Sequence, residues 1–483
     1  MDVISNQSLI RSACLINGNW IQAHSGKTFP VTNPASQQVI GSVPECGVAE
    51  TKEAIQAAHD AFLTWRELSA KERADYLWKW AELIDANKED LARLMTLEQG
   101  KPLSESRGEI DYANSFIKWF AEEARRVNGD IIPSNKVGQK ILVLKQPVGV
   151  VAAITPWNFP AAMITRKISP ALAAGCTVVV KPAEETPLTA LALAALAEKA
   201  GFPAGVINMI TGVPEEIGEV MTQSPLVRKL SFTGSTSVGK LLMRQCASTV
   251  KKLSLELGGN APFIVFDDAD LDAAVAGLIA SKFRNMGQTC VCANRIFVHE
   301  KIYDAFAKKL VIAVSKLKMG NGLEDEVTQG PLINEAGLQK VKSHVDDAVS
   351  NGAKILCGGK SHSLGGLFFE PTVIANVTTH MKFNQEETFG PVAPLISFSS
   401  DDEVIAMAND TTAGLASYFY SRDLARVWGV AEKLEYGMVG VNTGMVSTEV
   451  APFGGVKESG IGREGSKYGI DDYLELKYVC LVV

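Results

Sequence analysis

The sequence has no run of apolar residues long enough to cross a membrane. Its longest apolar stretch, residues 148–164, is interrupted by Pro156, Asn158 and Pro160, whereas a membrane-spanning helix needs about 20 predominantly apolar residues. The N-terminal segment also lacks a basic head followed by an apolar core, so no secretory signal peptide is predicted. We therefore expect a cytoplasmic protein without a membrane partner.

A cluster of basic residues is also missing. The 47 lysines and arginines are outnumbered by 54 aspartates and glutamates, which gives a net charge of −7. Since nucleic acid is bound by a basic surface, this balance argues against nucleic acid as a partner. The composition is otherwise that of a globular protein, and the length suffices for roughly two to four domains.

Cysteine and histidine lack the spacings that metal sites require. The eight cysteines contain no C-x-x-C pair and the six histidines no H-x-x-x-H pair, so no zinc site is predicted. Cysteines spread this thinly are typical of a reducing compartment. The sequence also has no G-x-S-x-G turn for a serine nucleophile.

Hydrophobic periodicity divides the chain into a helical part and an alternating part. Residues 51–127 carry apolar residues at three- and four-residue spacing, which predicts amphipathic helices, one of them over 71–99. From residue 148 buried strands alternate with helices, as in βαβ units around a parallel sheet. This alternation predicts a doubly wound, nucleotide-binding sheet over 148–250 and a second α/β domain over about 257–447.

Two motifs are candidates for holding a nucleotide. In KLSFTGSTSVGK, Gly234 and Ser235 follow a buried strand and lead into a helix, whose free N–H groups suit a phosphate. In TVVVKPAEETP, Lys181 ends a central strand and Glu184 lies in the loop beyond it, where an acidic group can hold ribose hydroxyls. A turn glycine and a solvated loop are the structural alternatives.

Three further motifs carry reactive groups. Cys290, in FRNMGQTCVC, lies in a Gly-Gln-Thr loop that suits an exposed thiolate, although most cysteines are small core residues. Glu256, in LELGGNAP, precedes two glycines that leave a basic carboxylate free to rotate. Asn158, in TPWNFP, is fixed between prolines and can offer an amide to an oxyanion. For Glu256 and Asn158 a plain turn is the alternative.

These motifs, in this order and at this spacing, resemble the NAD(P)-dependent aldehyde dehydrogenases. The match runs from LINGNW near residue 15 to the final strand, and it includes TPWNFP, KPAEETP, FTGST, LELGGNAP, GQTC, EETFGP and PFGG. LELGG with a cysteine 34 residues after its glutamate is highly specific. Within the family, SKFRNMGQTCVC and the C-terminal PFGGVKESGIGREGSKYGIDDYLELKYVC look most like the succinate-semialdehyde dehydrogenases.

The resemblance implies an α/β fold of three parts. These are a Rossmann-type doubly wound cofactor domain, an α/β catalytic domain and a small β oligomerisation element. We assign residues 1–127 and 148–256 to the first, 257–447 to the second, and 128–147 and 448–483 to the third. A homo-oligomer, either a tetramer or a dimer, is also implied.

The resemblance also implies a mechanism. The Cys290 thiolate attacks the aldehyde, and Asn158 with the backbone N–H of Cys290 stabilises the oxyanion. Hydride transfer to the nicotinamide leaves a thioester, which Glu256 hydrolyses by activating water. The implied cofactor-binding residues are Trp157, Lys181, Glu184, Gly234, Ser235, Leu257, Glu387 and Phe389.

The cofactor is predicted to be NAD, with NADP as a weaker alternative and no metal. Glu184 can accept hydrogen bonds from the 2′- and 3′-hydroxyls of the adenosine ribose, but its charge repels a 2′-phosphate.

The predicted substrate is succinate semialdehyde, oxidised to succinate as in 4-aminobutyrate degradation. Residues matching Arg166, Arg284 and Ser447 bind the far carboxylate of the semialdehyde in that subfamily, and guanidinium groups suit this task. A structural ion pair is the commoner role for arginine. Glutarate semialdehyde is the close competitor, because one methylene is worth only about 1–3 kcal/mol of discrimination; a broader aldehyde specificity is a further alternative.

Cys292 is a possible redox switch. In some relatives the matching cysteine forms a disulfide with the nucleophile; across two residues that ring is strained and easily reduced. A packing cysteine is equally compatible with the sequence.

Two rivals from other classes remain. A cysteine hydrolase has no need of KPAEETP or EETFGP, and a catalytically silent relative has no need of both Cys290 and Glu256. A coenzyme-A-acylating dehydrogenase is the nearest enzymatic rival, but such enzymes usually lack the general base.

Overall fold

Helices and strands alternate through most of the chain, of which a computed structural model describes residue 1 and residues 3–482. The α-helices are α1 (Val48–Trp65), α2 (Ala70–Ala86), α3 (Lys88–Gln99), α4 (Leu103–Glu123), α5 (Ala162–Ala174), α6 (Pro187–Ala200), α7 (Pro214–Gln223), α8 (Thr236–Cys246), α9 (Leu271–Lys282), α10 (Tyr303–Val314), α11 (Glu335–Ser350), α12 (Lys382–Gln385), α13 (Asp401–Asn409) and α14 (Leu424–Lys433). The strands are β1 (Cys14–Ile16), β2 (Asn19–Ile21), β3 (Thr28–Thr32), β4 (Val39–Pro44), β5 (Asp130–Ile132), β6 (Gln139–Pro147), β7 (Val150–Ile154), β8 (Thr177–Lys181), β9 (Ile207–Met209), β10 (Val227–Thr233), β11 (Lys252–Glu256), β12 (Ala261–Val265), β13 (Ala293–His299), β14 (Lys354–Cys357), β15 (Thr372–Ala375), β16 (Val392–Phe398), β17 (Ala416–Tyr420), β18 (Met438–Val441), β19 (Gly460–Ile461) and β20 (Leu474–Val482).

The larger sheet has the order β19-β11-β10-β7-β8-β9-β1-β2. Its central strands, β11, β10, β7, β8 and β9, are parallel, and their short apolar sequences are buried on both faces. Every residue of α5 is buried, and α6 is buried along most of its length. A parallel sheet enclosed by helices is the doubly wound α/β fold that the alternation predicts.

The second sheet has the order β14-β15-β16-β13-β12-β17-β18 and is parallel except for β14. Its strands alternate with helices in the same way as those of the first, so two α/β layers follow one another along the chain. The predicted fold class is confirmed.

A third sheet has the order β20-β6-β5 and is antiparallel. The C-terminal strand β20 pairs with β6 from Leu474 opposite Pro147 to Val482 opposite Gln139. Its outward side chains are exposed, with Leu476 at 71% and Tyr478 at 63%. The apolar tail thus has a partner within its own chain; the domain boundaries and the homo-oligomer stay predictions.

The helix predicted over 71–99 is two helices. The chain breaks between α2 and α3 at Asn87, whose φ of −115° and ψ of 15° are not helical. The Asn87 side chain donates to the Leu83 carbonyl at 2.7 Å. Asparagine competes with the helix in this way by offering its own hydrogen bonds to the backbone.

Candidate active site

Most of the predicted catalytic and cofactor residues line one cavity of about 480 Å³. It lies at the carboxyl ends of β7, β10 and β11, because the residues that follow or end these strands form one wall. Parallel strands direct their carboxyl ends to one edge, where α/β folds bind ligands. The predicted residues that line it are Asn158, Trp157, Gly234, Ser235, Glu256, Leu257, Cys290, Glu387 and Phe389.

The loop that carries Cys290 is more buried than its sequence predicts. The polar Gln288 and Thr289 predict that Cys290 is not a core residue, and Cys290 is indeed partly exposed, although the two polar side chains themselves are buried. The Gln288 amide donates to the Asn285 carbonyl at 3.1 Å and accepts from the Ile333 N–H at 2.9 Å. These bonds satisfy the amide inside the protein, so the polar side chain fixes the loop instead of facing water.

Cys290 itself is partly exposed and faces the cavity. Burial raises the pKa of its thiol to about 12, and the charges of Arg166 and Arg284 act in the opposite direction. Burial is the larger of these effects, so the two cations reduce, without removing, the cost of forming the thiolate that a nucleophile needs.

Both the backbone and the side chain of Asn158 form hydrogen bonds that fix its position. Its carbonyl accepts from Lys101 Nζ at 2.7 Å and from the Asn285 amide at 3.0 Å. Its own amide donates to the Gln288 carbonyl at 3.0 Å. Because an amide has two N–H groups, one remains for an oxyanion formed at Cys290.

Sequence reasoning missed the buried ion pair behind Asn158. Lys101 Nζ lies 2.5 Å from Glu109 Oε2, and both side chains are buried. Glu109 Oε1 accepts from the N–H groups of Ala161 and Ala162, where α5 begins. A pairing between a loop lysine and a carboxylate on the following helix has no signal in hydrophobic periodicity, so only the tertiary structure reveals it.

Glu256 ends β11 and lines the cavity. Burial raises the pKa of its carboxyl well above the usual value, and the charge of Glu464 adds to that effect. Its Oε2 atom is buried and has no hydrogen-bond partner among the described residues. A Cβ on Gly454, in the PFGG motif, would lie 2.9 Å from Glu256 Oε1. Glycine at that position leaves room for the carboxylate.

Arg166 already has an acidic partner. Glu464 forms buried ion pairs with Arg166 and with Lys167. Their charges lower the pKa of the Glu464 carboxyl against the opposing effect of burial. Arg166 therefore takes part in a structural ion pair, the commoner role for arginine. Its Nη2 atom, however, is buried and has no hydrogen-bond partner in the described part of the chain.

Three neighbouring side chains carry buried donors without a hydrogen-bond partner. The Nη2 atom of Arg166, the Nε atom of Arg284 and the hydroxyl of Tyr112 are all buried without a partner among residues 3–482. Burial raises the pKa of the Tyr112 hydroxyl, and the adjacent Arg166 and the charge of Arg284 oppose that effect. Tyr112, on α4, was not predicted. Unsatisfied buried donors call for an acceptor.

The remaining predicted residues are not among those that line the cavity. Lys181 ends β8 and is ion-paired with Glu184, whose side chain is 38% exposed. Ser447 lies in the loop after β18 and is partly exposed. Lys181, Glu184 and Ser447 are not among the described residues that line the cavity, and the same is true of Arg166 and Arg284.

Helix α11 closes the cavity opposite the strands. Its residues Ala336, Gly337 and Lys340 line the cavity, and sequence reasoning missed them because α11 reads only as an amphipathic helix. Burial raises the pKa of the Glu387 carboxyl to about 7, and the charge of Lys340 opposes that effect. Glu387 Oε1 accepts from the Gly259 N–H at 3.3 Å.

Cys292 is buried, and its thiol donates to the carbonyls of Lys282 and Ala293 at 3.6 and 3.4 Å. Both Cys290 and Cys292 are free thiols. The disulfide between them stays a prediction, and it requires Cys292 to leave these acceptors.

If the disulfide forms, hydrogen peroxide is expected to inactivate the protein reversibly, with recovery on addition of a thiol reductant. In Cys292→Ala no disulfide can form, so the nucleophile oxidises beyond the sulfenic acid and a thiol reductant should no longer restore activity. Residual activity after peroxide, with and without reductant, measures this. Equal recovery in the variant would refute the switch.

The described residues contain neither a metal-binding cluster nor a membrane-spanning helix. No group of three or more histidine, cysteine, aspartate or glutamate side chains among them is arranged to hold a metal ion. None of their helices is both long and apolar enough to span a bilayer.

Known proteins resemble the chain over nearly its whole length. The model of the aldehyde dehydrogenase family matches residues 20–479. A glutarate-semialdehyde dehydrogenase of Pseudomonas aeruginosa is 61% identical over 99% of this chain and 99% of its own. The NADP(+) succinate-semialdehyde dehydrogenase GabD of Escherichia coli is 60% identical, again over 99% of both chains. The crystal structure of an E. coli NADP-dependent enzyme superposes with a TM-score of 0.99 at 60% identity, and covers 99% of this chain and 100% of its own.

Proposed function

The chain belongs to the aldehyde dehydrogenase family, and from that premise we propose that it oxidises succinate semialdehyde to succinate with reduction of NAD(P). The observation that carries the substrate is the set of unpaired donors of Arg166, Arg284 and Tyr112. A carboxylate supplies the acceptors that these donors lack, and guanidinium groups bind carboxylates in two-pronged geometry. An ω-carboxylated aldehyde brings such a group within reach of Cys290.

We propose that Cys290 is the nucleophile and Asn158 its oxyanion donor. The thiolate attacks the aldehyde carbon, a C–S bond forms, and the carbonyl electron pair moves onto oxygen. The free N–H of the Asn158 amide and the N–H of Cys290 stabilise that charge. Because Asn158 is anchored by Lys101 and Asn285, its amide needs no reorganisation during the reaction.

The residues of the cavity fit a nicotinamide dinucleotide. Ser235 caps α8, and the first turn of a helix presents N–H groups that suit the pyrophosphate. Trp157 and Phe389 form an aromatic wall, with ring centroids 5.6 Å apart, and Glu387 offers a carboxylate to ribose hydroxyls. When bound, the oxidised cofactor supplies the acceptor for the hydride.

Glu256 is proposed as the base that ends the cycle. It accepts a proton from water, the resulting hydroxide attacks the thioester carbonyl, and the C–S bond breaks to release the acid and the Cys290 thiolate. Its raised pKa makes it a good proton acceptor once it is ionised.

Glutarate semialdehyde is the second candidate substrate. The P. aeruginosa relative is named for that activity, and the added methylene changes binding by only about 1–3 kcal/mol. Both substrates place a carboxylate on the far end of a short aldehyde, so the same arginines serve either.

Steady-state rates of cofactor reduction test the proposal. Succinate semialdehyde, glutarate semialdehyde and a neutral aldehyde of similar length are each supplied with NAD and with NADP. We expect the two semialdehydes to exceed the neutral aldehyde in kcat/KM by about a hundredfold or more. Equal rates with the neutral aldehyde would overturn the substrate assignment and leave the arginines with a structural role.

Glu184 is proposed to favour NAD over NADP. Its partly exposed carboxylate accepts from ribose hydroxyls and repels a 2′-phosphate. The E. coli relative is named for NADP(+), so a preference for NAD would distinguish this chain from it. Glu184→Ser is expected to raise kcat/KM for NADP by about tenfold, and Glu184→Asp, which keeps the charge, should not. A wild-type kcat/KM for NADP equal to that for NAD would contradict the proposal.

A further inference from the structure

We propose that His344 is a positioning residue that fixes the segment 386–389 for cofactor binding. His344 lies outside the cavity lining, and it acts through the two neighbours of Glu387. The inference rests on the proposed use of that segment to hold NAD(P). It assigns to a buried histidine a task that neither the motif EETFGP nor the amphipathic pattern of α11 indicates.

His344 contacts the segment with both ring nitrogens. It lies on α11 and is 1% exposed. Its Nδ1 atom is 3.2 Å from Thr388 Oγ1, and its Nε2 atom is 3.2 Å from Glu386 Oε2. Phe383 packs edge-on against the ring, with centroids 5.4 Å apart. The imidazole is therefore held in place and in turn holds the residues on either side of Glu387.

The protonation of His344 suits this arrangement. Burial lowers the pKa of the imidazole, and the nearby Glu386 opposes that effect while Lys340 and Lys382 add to it. A neutral ring has one donor and one acceptor. The tautomer that satisfies both neighbours donates from Nε2 to Glu386 and accepts at Nδ1 from the Thr388 hydroxyl.

The opposite side of the segment is held by Asn294. Its Oδ1 atom accepts from the Thr388 N–H and its amide donates to the Glu386 carbonyl, both at 3.1 Å. Asn294 lies on β13 and His344 on α11. The segment is thus clamped between a strand of the sheet and a helix that packs over it.

A clamp is needed because the segment is strained. Phe389 has a φ of 54°, a left-handed conformation that is costly for a bulky side chain. Such conformations persist only where the surroundings determine them. With Glu386 and Thr388 fixed, Glu387 and Phe389 face the cavity, where both belong to its lining.

His344→Ala is expected to raise the KM for NAD and the Kd for NADH by about tenfold, the worth of roughly one net hydrogen bond. The KM for the aldehyde should change little. Cofactor-free hydrolysis of p-nitrophenyl acetate, in which Cys290 takes the acetyl group and p-nitrophenolate leaves, should also be unchanged. Equilibrium titration with NADH fluorescence measures the Kd without turnover.

Two variants make the test specific. His344→Gln keeps one donor and one acceptor and should restore much of the cofactor affinity. His299→Ala removes another buried histidine, at the end of β13, which packs against Phe398 and accepts from the Lys301 N–H without contacting the segment. It should leave the Kd for NADH unchanged.

Two outcomes would overturn the proposal. One is an unchanged Kd for NADH in His344→Ala. The other is a parallel loss of ester hydrolysis and cofactor affinity, which would indicate general disruption. If the wild-type protein binds NADH but oxidises no semialdehyde, the proposed substrate fails, and the NADH titration still decides the role of His344.

Discussion

Replacing Glu256 with glutamine is expected to lower steady-state aldehyde oxidation by about 10²–10⁴-fold, while one equivalent of reduced cofactor per active site still forms rapidly. Cys290 and Asn158 are intact in this variant, so the thioester forms. Without the base, the thioester is hydrolysed only slowly, by water that no side chain activates. Rapid-mixing absorbance at the reduced-nicotinamide band resolves the burst from the slow phase.

Two controls bracket this experiment. Cys290→Ala removes the nucleophile and should abolish the burst together with turnover. Glu98→Gln replaces another buried carboxyl, whose pKa burial raises to about 8 and which accepts from the N–H groups of Leu188 and Thr189 at the start of α6. Any effect of Glu98→Gln should be on stability, with burst and turnover kept in proportion. A Glu256→Gln variant with no burst, or with undiminished turnover, would contradict the assigned role.

The pH dependence follows from the raised pKa of Glu256. Burial favours the neutral carboxyl, whereas the base must be ionised. Turnover limited by thioester hydrolysis should therefore increase as the pH rises through the pKa of Glu256. Glu256→Gln should lose this increase, and a profile that is flat in the wild-type protein would count against the mechanism.

Arg284→Met is expected to lower kcat/KM for succinate semialdehyde by about a hundredfold and to leave a neutral aldehyde of the same length unaffected. A charged hydrogen bond to a carboxylate is worth about 1.5–3 kcal/mol. Arg284 is the cleaner probe of the two arginines, because Arg166→Met also leaves Glu464 without one of its partners, and breaking a buried ion pair costs about 3–5 kcal/mol of stability.

Comparing the semialdehyde with the neutral aldehyde shows whether Arg284 binds the substrate or supports the protein structure. Arg284→Lys keeps the charge and loses the forked geometry, so it should recover part of the activity. If Arg284→Met lowers kcat/KM equally for the semialdehyde and the neutral aldehyde, the guanidinium, which lies 5.3 Å from the ring centroid of Phe159, supports the turn that carries Asn158 and does not bind the substrate.

The alternation of strands and helices predicts the layers of this fold because it depends on local burial. A short apolar run such as TVVVK is buried on both faces wherever it occurs in a parallel sheet. The break at Asn87 was missed because the hydrophobic spacing continues across it. There a single side chain competes for backbone hydrogen bonds, which periodicity does not report.

The sequence also predicts part of the cavity, namely the residues that the ends of the parallel strands bring together. Glu256 ends a parallel strand, and Asn158 lies in the turn after another, so topology alone brings them to one edge. Tyr112 lies on α4, Lys101 lies in the loop before that helix, and Glu464 is far along the chain from both. Their contacts with the site depend on how distant segments pack, and no local pattern encodes that.

The pairing of β20 with β6 also has a consequence for how the protein is made. β20 follows β6 by more than half the length of the sequence. Because a chain is synthesised from its N-terminus, β6 leaves the ribosome well before β20, and one of its edges stays uncovered until β20 has emerged. An uncovered strand edge promotes aggregation, so this sheet is exposed to that risk for most of the time that the chain takes to be made.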